Sequence, residues 1–445
     1  VELIDPSRHL RHTIPTRPDP VDFAAVPGRE LAAVLDTRTH ELAIVNIGEQ
    51  RVREFIPVGQ TSNAIYVTPT ERYLLTVFDP GRGEAAYDET GVVNPNEITI
   101  VDIETGEARF VSLKFSPDRI QCAALADVCL LGREQRMAHL DLATGETVSY
   151  PLSLGIDDLR TPDLVRLSPD GAYALVSVGE SDDLYVLDLA ERNINIMETG
   201  SRARSILFLG GDVAVITSGY DASLFVYDVK SGANFVADLG GQVYPSAFAT
   251  PDGERLVLYD SSYGHSVAVI AIADLVALLD QFVAGESVDL PESIFREYLL
   301  DGFIDGEISG RPVRCDPTSR FLAVASTMSN GASYQQIEIV DLVAGETSSD
   351  VTAGLGLESY LTDFAFSTTS PTMGLLLGPV GKFVVVDLTT LQAAARPVGS
   401  MGETVHYLAG SEAYVVKHEL LNGKLAFVGD VDAEFFWMAM SIFNP

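Results

Sequence analysis

The chain has 445 residues, 47% of them hydrophobic and 21% charged, and carries a net charge of −34 at pH 7. That hydrophobic content belongs to a globular protein and excludes a disordered chain. The charge excludes a nucleic-acid backbone or an anionic membrane surface as the main partner, because both demand clustered Lys and Arg.

The residues from Val1 onward do not read as a charged-then-apolar signal segment, so a mature or trimmed chain is expected, and no apolar run in the sequence reaches the length of a transmembrane helix. The chain opens at Val1, and only five Lys stand against 24 Arg in an acid-rich background. These features lead to the expectation of an exported protein, periplasmic or at the cell surface. A genome rich in G and C explains the Arg bias equally well.

One pattern then recurs down the chain. An alternating apolar strand ends in Asp or Asn and a turn follows. It appears as Leu42-Ala-Ile-Val-Asn46, Ile98-Thr-Ile-Val-Asp102, Met137-Ala-His-Leu-Asp141, Leu184-Tyr-Val-Leu-Asp188 and Leu224-Phe-Val-Tyr-Asp228. It returns as Val267-Ala-Val-Ile-Ala271, Ile337-Glu-Ile-Val-Asp341, Phe383-Val-Val-Val-Asp387 and Leu425-Ala-Phe-Val-Gly429. Successive anchors are 56, 39, 47, 40, 43, 70, 46 and 42 residues apart. Most of these match the ~40–45 residues of one four-stranded propeller blade. β-Branched and aromatic residues suit a buried pleated strand. The Asp side chain starts a turn by bonding nearby amides, and Gly supplies the positive φ. Upstream of the anchors lie further strand–turn–strand signals, clearest in Leu167-Ser-Pro-Asp-Gly171 and in Ala249-Thr-Pro-Asp-Gly253.

The strand–Asp–x–x–Thr–Gly anchors and the Ser-Pro-Asp-Gly turn resemble the YVTN-type and quinoprotein-dehydrogenase-like propeller repeats, from about Val21 to Val431. The resemblance implies an all-β chain forming a single β-propeller domain over 1–445, with eight or nine four-stranded blades from the nine repeat units. It carries over no catalytic position. Closure of the last blade by the N-terminal stretch Arg11-His-Thr-Ile-Pro15 is expected, since this stretch resembles the fourth strand at Phe55-Ile-Pro-Val-Gly59.

Departures from the repeat are candidate sites. The 56-residue spacing makes room for a long loop over 79–96, in which Asp79, Glu84, Asp88 and Glu89 are candidate Ca²⁺ ligands; a merely solvated acidic loop is the competing reading. No other cofactor is expected. Cys122 and Cys129 flank an expected tight turn, close enough for a disulfide; two buried thiols are the alternative, and Cys315 has no evident partner. Arginines precede the first strands of several repeats: Arg17, Arg160, Arg202, Arg204 and Arg311. Together they are candidates to bind a carboxylate or phosphate. The alternative is that they offset acids such as Asp19, Asp157, Asp158 and Asp163. His139 lies inside a strand motif and reads as a packed core histidine.

The 70-residue spacing holds a helical insert within 273–310. Its apolar residues 275, 276, 278, 279, 282 and 283 share one face, and a second short helix is expected over 293–300. The insert either covers the propeller or docks a partner. An apolar tail over 432–445 ends the chain, with Phe435, Phe436, Trp437, Met438 and Phe443 as interface candidates; an outer strand of its own blade is the other reading.

No haem-attachment motif, nucleophile elbow or phosphate loop occurs. The leading expectation is therefore an exported, non-catalytic scaffold or binding subunit with protein partners. The resemblance keeps alive a propeller enzyme or small-ligand binder, lactonase-like or quinoprotein-like, at the channel mouth.

Overall fold

The architecture was obtained as a computed structural model, which describes the chain apart from residues 1, 6–9, 83–93, 153–160, 180, 262–263, 280, 282–286, 292, 307–310, 329–333, 349–360, 378–380, 399–401, 410–411, 419–423, 430–434 and 440–445. It is all-β and built of propeller blades. Among the described residues there are nine sheets of four or five strands, following a short N-terminal hairpin. Eight of the nine begin with two strands that are consecutive in the chain, as the repeat spacing implied. The chain forms two compact units, one of 1–216 with 227–232 and the other of 217–226 with 233–445. The first unit contains the hairpin and sheets one to four, and the second contains sheets six to nine.

Middle strands are apolar along their length because each sheet is covered on both faces. Leu31–Asp36 and Tyr73–Val77 are buried at every position. In the first unit, Leu35, Leu42 and Ile44 of the first sheet pack on Ile65, Leu74 and Val101 of the second. In the second unit, Ala323 and Ile337 of the seventh sheet pack on Phe364, Leu375 and Val384 of the eighth. Leu376 and Phe383 then pack on Tyr414, Val416 and Val428 of the ninth. Burying each such side chain contributes about 1.5–3 kcal/mol. Fourth strands face solvent, as in Asn193–Glu198, where no residue is buried.

The anchor aspartates do what their position implies. The N–H groups of Glu104 and Thr105 donate to Asp102 Oδ1 at 2.9 and 3.1 Å, and those of Val343 and Ala344 donate to Asp341 Oδ1, both at 2.9 Å. Four residues after the Asp, the chain turns left-handed. Gly106, Gly145, Gly232 and Gly345 sit there with φ of 74, 77, 77 and 73°, a conformation glycine adopts without steric cost.

These turns make the fold acid-sensitive. The Asp387 carboxyl is held below its ordinary value of 3.8, first by the Thr389 hydroxyl and then, against burial, by the N–H groups of Thr390 and Thr389. At Asp341 burial pushes the carboxyl up, but the Arg320 guanidinium and two backbone N–H groups outweigh it and the net direction is down. A carboxyl whose pKa is lower folded than unfolded binds fewer protons in the native state, so its stabilisation is full above the ordinary value and is lost as pH falls through the folded one. Melting temperature is expected to hold above about pH 5 and to fall steadily below about pH 4. Asp387→Asn should make the acid limb shallower, and an unchanged limb would exclude this turn as a contributor.

Two expectations are corrected. The second short helix does not form. Residues Phe295–Leu299 are a strand that pairs antiparallel with Ser266–Ala271 and completes the sixth sheet. The residues alternate as well as they spiral, and a third strand with an open ladder decides between the two. The first helix of the insert is present as Ile272–Ala277; Leu275 and Leu279 of its expected face are buried, and residues 282 and 283 lie outside the described residues. Finally, Leu10–Thr13 pairs with Glu2–Asp5, and the neighbouring Ile14 packs with Ala32, Val34, Ala43 and Val45 of the first sheet. The fourth strand of the last sheet is instead Phe435–Ala439.

Candidate functional site

In the first unit, the long 79–96 segment begins beside a pocket of about 250 Å³ lined by Val21, Thr37, Gln60, Thr61, Asn63, Phe78 and Arg82. Four pieces of chain meet there: the first strand of sheet one, the turn after its second strand, the connection to sheet two, and the segment after the second strand of sheet two.

Asp22 organises the site. A bulge at the start of Pro20–Val26 shifts the register between Pro20 and Asp22. The displaced carboxylate reaches the neighbouring sheet, where Oδ2 accepts the Ile65 N–H at 2.7 Å. Its Oδ1 lies 2.7 Å from Arg82 Nη1, and Arg82 Nε lies 3.4 Å from Asp79 Oδ2. Asn63 locks the same segment from the other side: its amide nitrogen donates to the Asp79 carbonyl at 2.9 Å, and its amide oxygen accepts the Asp79 N–H at 2.6 Å. The buried Thr61 hydroxyl donates to the Asn94 carbonyl at 3.2 Å, and Thr37 donates to Asp19 at 3.2 Å. Burial pushes the nearby Tyr66 hydroxyl up in pKa, and the Asp79 charge adds to that, so it stays protonated.

Of the candidate Ca²⁺ ligands, Asp79 is therefore committed to Arg82 and to the Gly81 N–H, 2.8 Å away. Glu84, Asp88 and Glu89 lie outside the described residues. No group of three or more His, Cys, Asp or Glu fit to hold a metal occurs among the described residues.

The candidate arginines are placed singly. Arg17 pairs with Glu41 at 2.6 Å and stacks over the Phe55 ring at 4.1 Å. Arg202 pairs with Asp163 at 3.0 Å. Arg204 is exposed on the first strand of the fifth sheet. Arg311 is exposed in the second unit, where its carbonyl accepts Arg314 Nε at 3.2 Å. Arg160 lies outside the described residues.

Cys122 and Cys129 face each other as directly paired residues with Cα atoms 4.0 Å apart, and their sulfurs are bonded. The free Cys315 is half-buried, and burial first, then the charge of Asp316, pushes its thiol up to about 12. In the tail, Phe435, Phe436, Trp437 and Met438 belong to the outer strand of the ninth sheet, and Phe443 lies outside the described residues.

Sequence reasoning overlooked Asp22 and Asp363, and a signal for them exists. The run Asp22-Phe-Ala recurs as Asp363-Phe-Ala, each just after a register shift in a first strand. Asp363 likewise reaches the next sheet, accepting the Val405 N–H at 2.9 Å.

No family model matches the chain, and no curated protein matches it. Among solved structures, it is similar to one described as the eukaryotic initiation factor, with 12% identity, 96% of this chain and 91% of that one covered, and a TM-score of 0.47. It is similar to the dihydro-heme d1 dehydrogenase NirN in complex with DHE, with 12% identity, 86% and 76% covered, and a TM-score of 0.46. It is also similar to the Cps50 (Swd1) β-propeller domain of Myceliophteria thermophila, with 10% identity, 86% and 98% covered, and a TM-score of 0.36. The assignment to β-propeller architecture rests on the sheets themselves.

Proposed function

We propose that the protein is an exported, non-catalytic binding subunit that presents its blades to other proteins. The observation that carries this reading is a strand added to an outer edge. In the second unit, Ser287–Asp289 pairs in parallel with Asn234–Asp238, outside the four strands of the repeat. An outer strand offers unpaired N–H and C=O groups, and strand addition is a common way to recognise a partner's extended segment. Apolar side chains on other outer strands would add side-chain affinity: Phe110 and Ile196 in the first unit are 49% and 42% exposed, and Leu299 in the second is 72% exposed.

Commitment of Arg17, Arg82 and Arg202 to carboxylates supports a structural role for these arginines over a role in chemistry. Export is supported by the Cys122–Cys129 bridge, since disulfides persist in oxidising compartments. The test is gentle recovery from the native source with native mass measurement. Other chains in fixed ratio are the expected result. A single species at the 47.9 kDa chain mass overturns the reading.

A second reading, a binder of small molecules, is favoured by the pocket at Arg82.

A further inference from the structure

We infer that the pocket between the first and second sheets binds one neutral, polyhydroxylated ring, a monosaccharide unit. This stands on the pocket alone, deepens the small-molecule reading, and is independent of the subunit role.

Charge selects against ions. Arg82 is the one charged residue in the lining, and it is already matched by Asp22 at 2.7 Å and Asp79 at 3.4 Å. An anion would compete with two carboxylates for the same guanidinium, on a chain of net charge −34. A cation finds no carboxylate among the lining residues.

The remaining lining suits hydroxyl groups. Thr37 and Thr61 bring hydroxyls and Gln60 and Asn63 bring amides, and each of these groups both donates and accepts hydrogen bonds, as sugar hydroxyls do. Val21 and Phe78 add an apolar wall for the C–H face of a ring. The volume of about 250 Å³ lies below the ~300–1,000 Å³ typical of drug-sized ligands, so it takes one ring and not a chain of them. The site is also held in shape without ligand. Asn63 is fixed by its two bonds to Asp79, and Thr61 by its bond to the Asn94 carbonyl. That lowers the ordering cost of binding.

The test is saturation-transfer NMR and calorimetry on the full chain. The probes are glucose, galactose and mannose, their methyl glycosides, glucuronate and glucosamine. At least one neutral hexose is expected to bind with a Kd of about 1 mM, with glucuronate and glucosamine weaker by about tenfold or more. A methyl glycoside tighter than its free sugar marks the terminal residue of a glycan as the source, and the reverse marks the free sugar. Val21→Trp fills the pocket from a position 43% exposed, so it should abolish binding while leaving the melting temperature unchanged. Gln60→Leu, at an exposed site, should weaken binding and serves if the Trp variant misfolds. No signal from any neutral probe up to about 100 mM overturns the inference. So does glucuronate binding as well as the neutral sugars, or full binding by both folded variants.

Discussion

Asp363→Ala is expected to destabilise the second unit by about 3 kcal/mol. Asp363 is 5% exposed and joins three consecutive sheets. One oxygen accepts Arg314 Nη2 at 2.7 Å and its neighbour's N–H, that of Phe364, at 2.9 Å; the other accepts the Val405 N–H. Arg314 comes from the seventh sheet, bonds the Phe364 carbonyl through Nη1, and lies 4.2 Å over the Phe364 ring. Removing the carboxylate takes this counter-charge from a guanidinium only 23% exposed. It also strips the acceptor from a buried N–H in the ninth sheet. Breaking a buried pair on one side costs about 3–5 kcal/mol, and the partial exposure of Arg314 sets the lower end. Removing both partners with Arg314→Met and Asp363→Leu should cost less than Asp363→Ala alone, because no charge is left stranded. Urea unfolding of the three proteins measures this, with hydrogen exchange at Val405 as the local probe. A loss under about 1 kcal/mol for Asp363→Ala, or a double variant worse than the single, removes the account.

The repeat was legible because its signals are local. Asp102, Asp341 and Asp387 each bond amides two and three residues on, so strand, anchor and turn all lie within one short window. Nine anchors therefore marked nine sheets. Long-range choices were less legible. The stretch 293–300 fits a helix or a strand equally, and the deciding partner, Ser266–Ala271, lies about 25 residues upstream. The arginines show the same limit from the other side: Arg202 met Asp163, one of the acids expected to offset it, but no spacing in the chain identifies which acid. The pocket was half-visible. The long segment after Asp79 marked the place, while Val21, Thr37 and Asn63 come from positions that read as ordinary strand ends and turns.

One further residue was hidden in plain view, and its replacement carries the other large effect. In the anchor strands the position three before the Asp points inward: Thr99, Ala138, Tyr185, Phe225 and Val384 are all buried there. The seventh copy has Glu338, with no exposure at all. Its Oε1 accepts the Ser326 hydroxyl at 2.6 Å and the Gly302 N–H and Gln336 Nε2 both at 3.1 Å, and its Oε2 accepts the Asp301 N–H at 2.8 Å. Thr99 does the same work in the second sheet by accepting the Gly59 N–H at 2.9 Å, so the position secures the connection arriving from the preceding blade. The fit at 302 is close: a Cβ there would meet Ser326 Oγ at 2.9 Å, which leaves no room for a side chain. Glu338→Ala strips the acceptor from four donors inside a packed core. With each buried unsatisfied donor costing about 1–3 kcal/mol and water refilling part of the space, the expected loss is about 4 kcal/mol. Glu338→Gln keeps the shape and one oxygen but turns an N–H₂ toward one of the donors, so about 2 kcal/mol is expected. Denaturant midpoints of both variants, with hydrogen exchange at Gly302, measure the order. If Gln is as stable as Glu, one side-chain oxygen suffices and the second is not what holds the 301–302 connection; if Ala is also tolerated, the connection is held by its apolar neighbours Leu300 and Ile304.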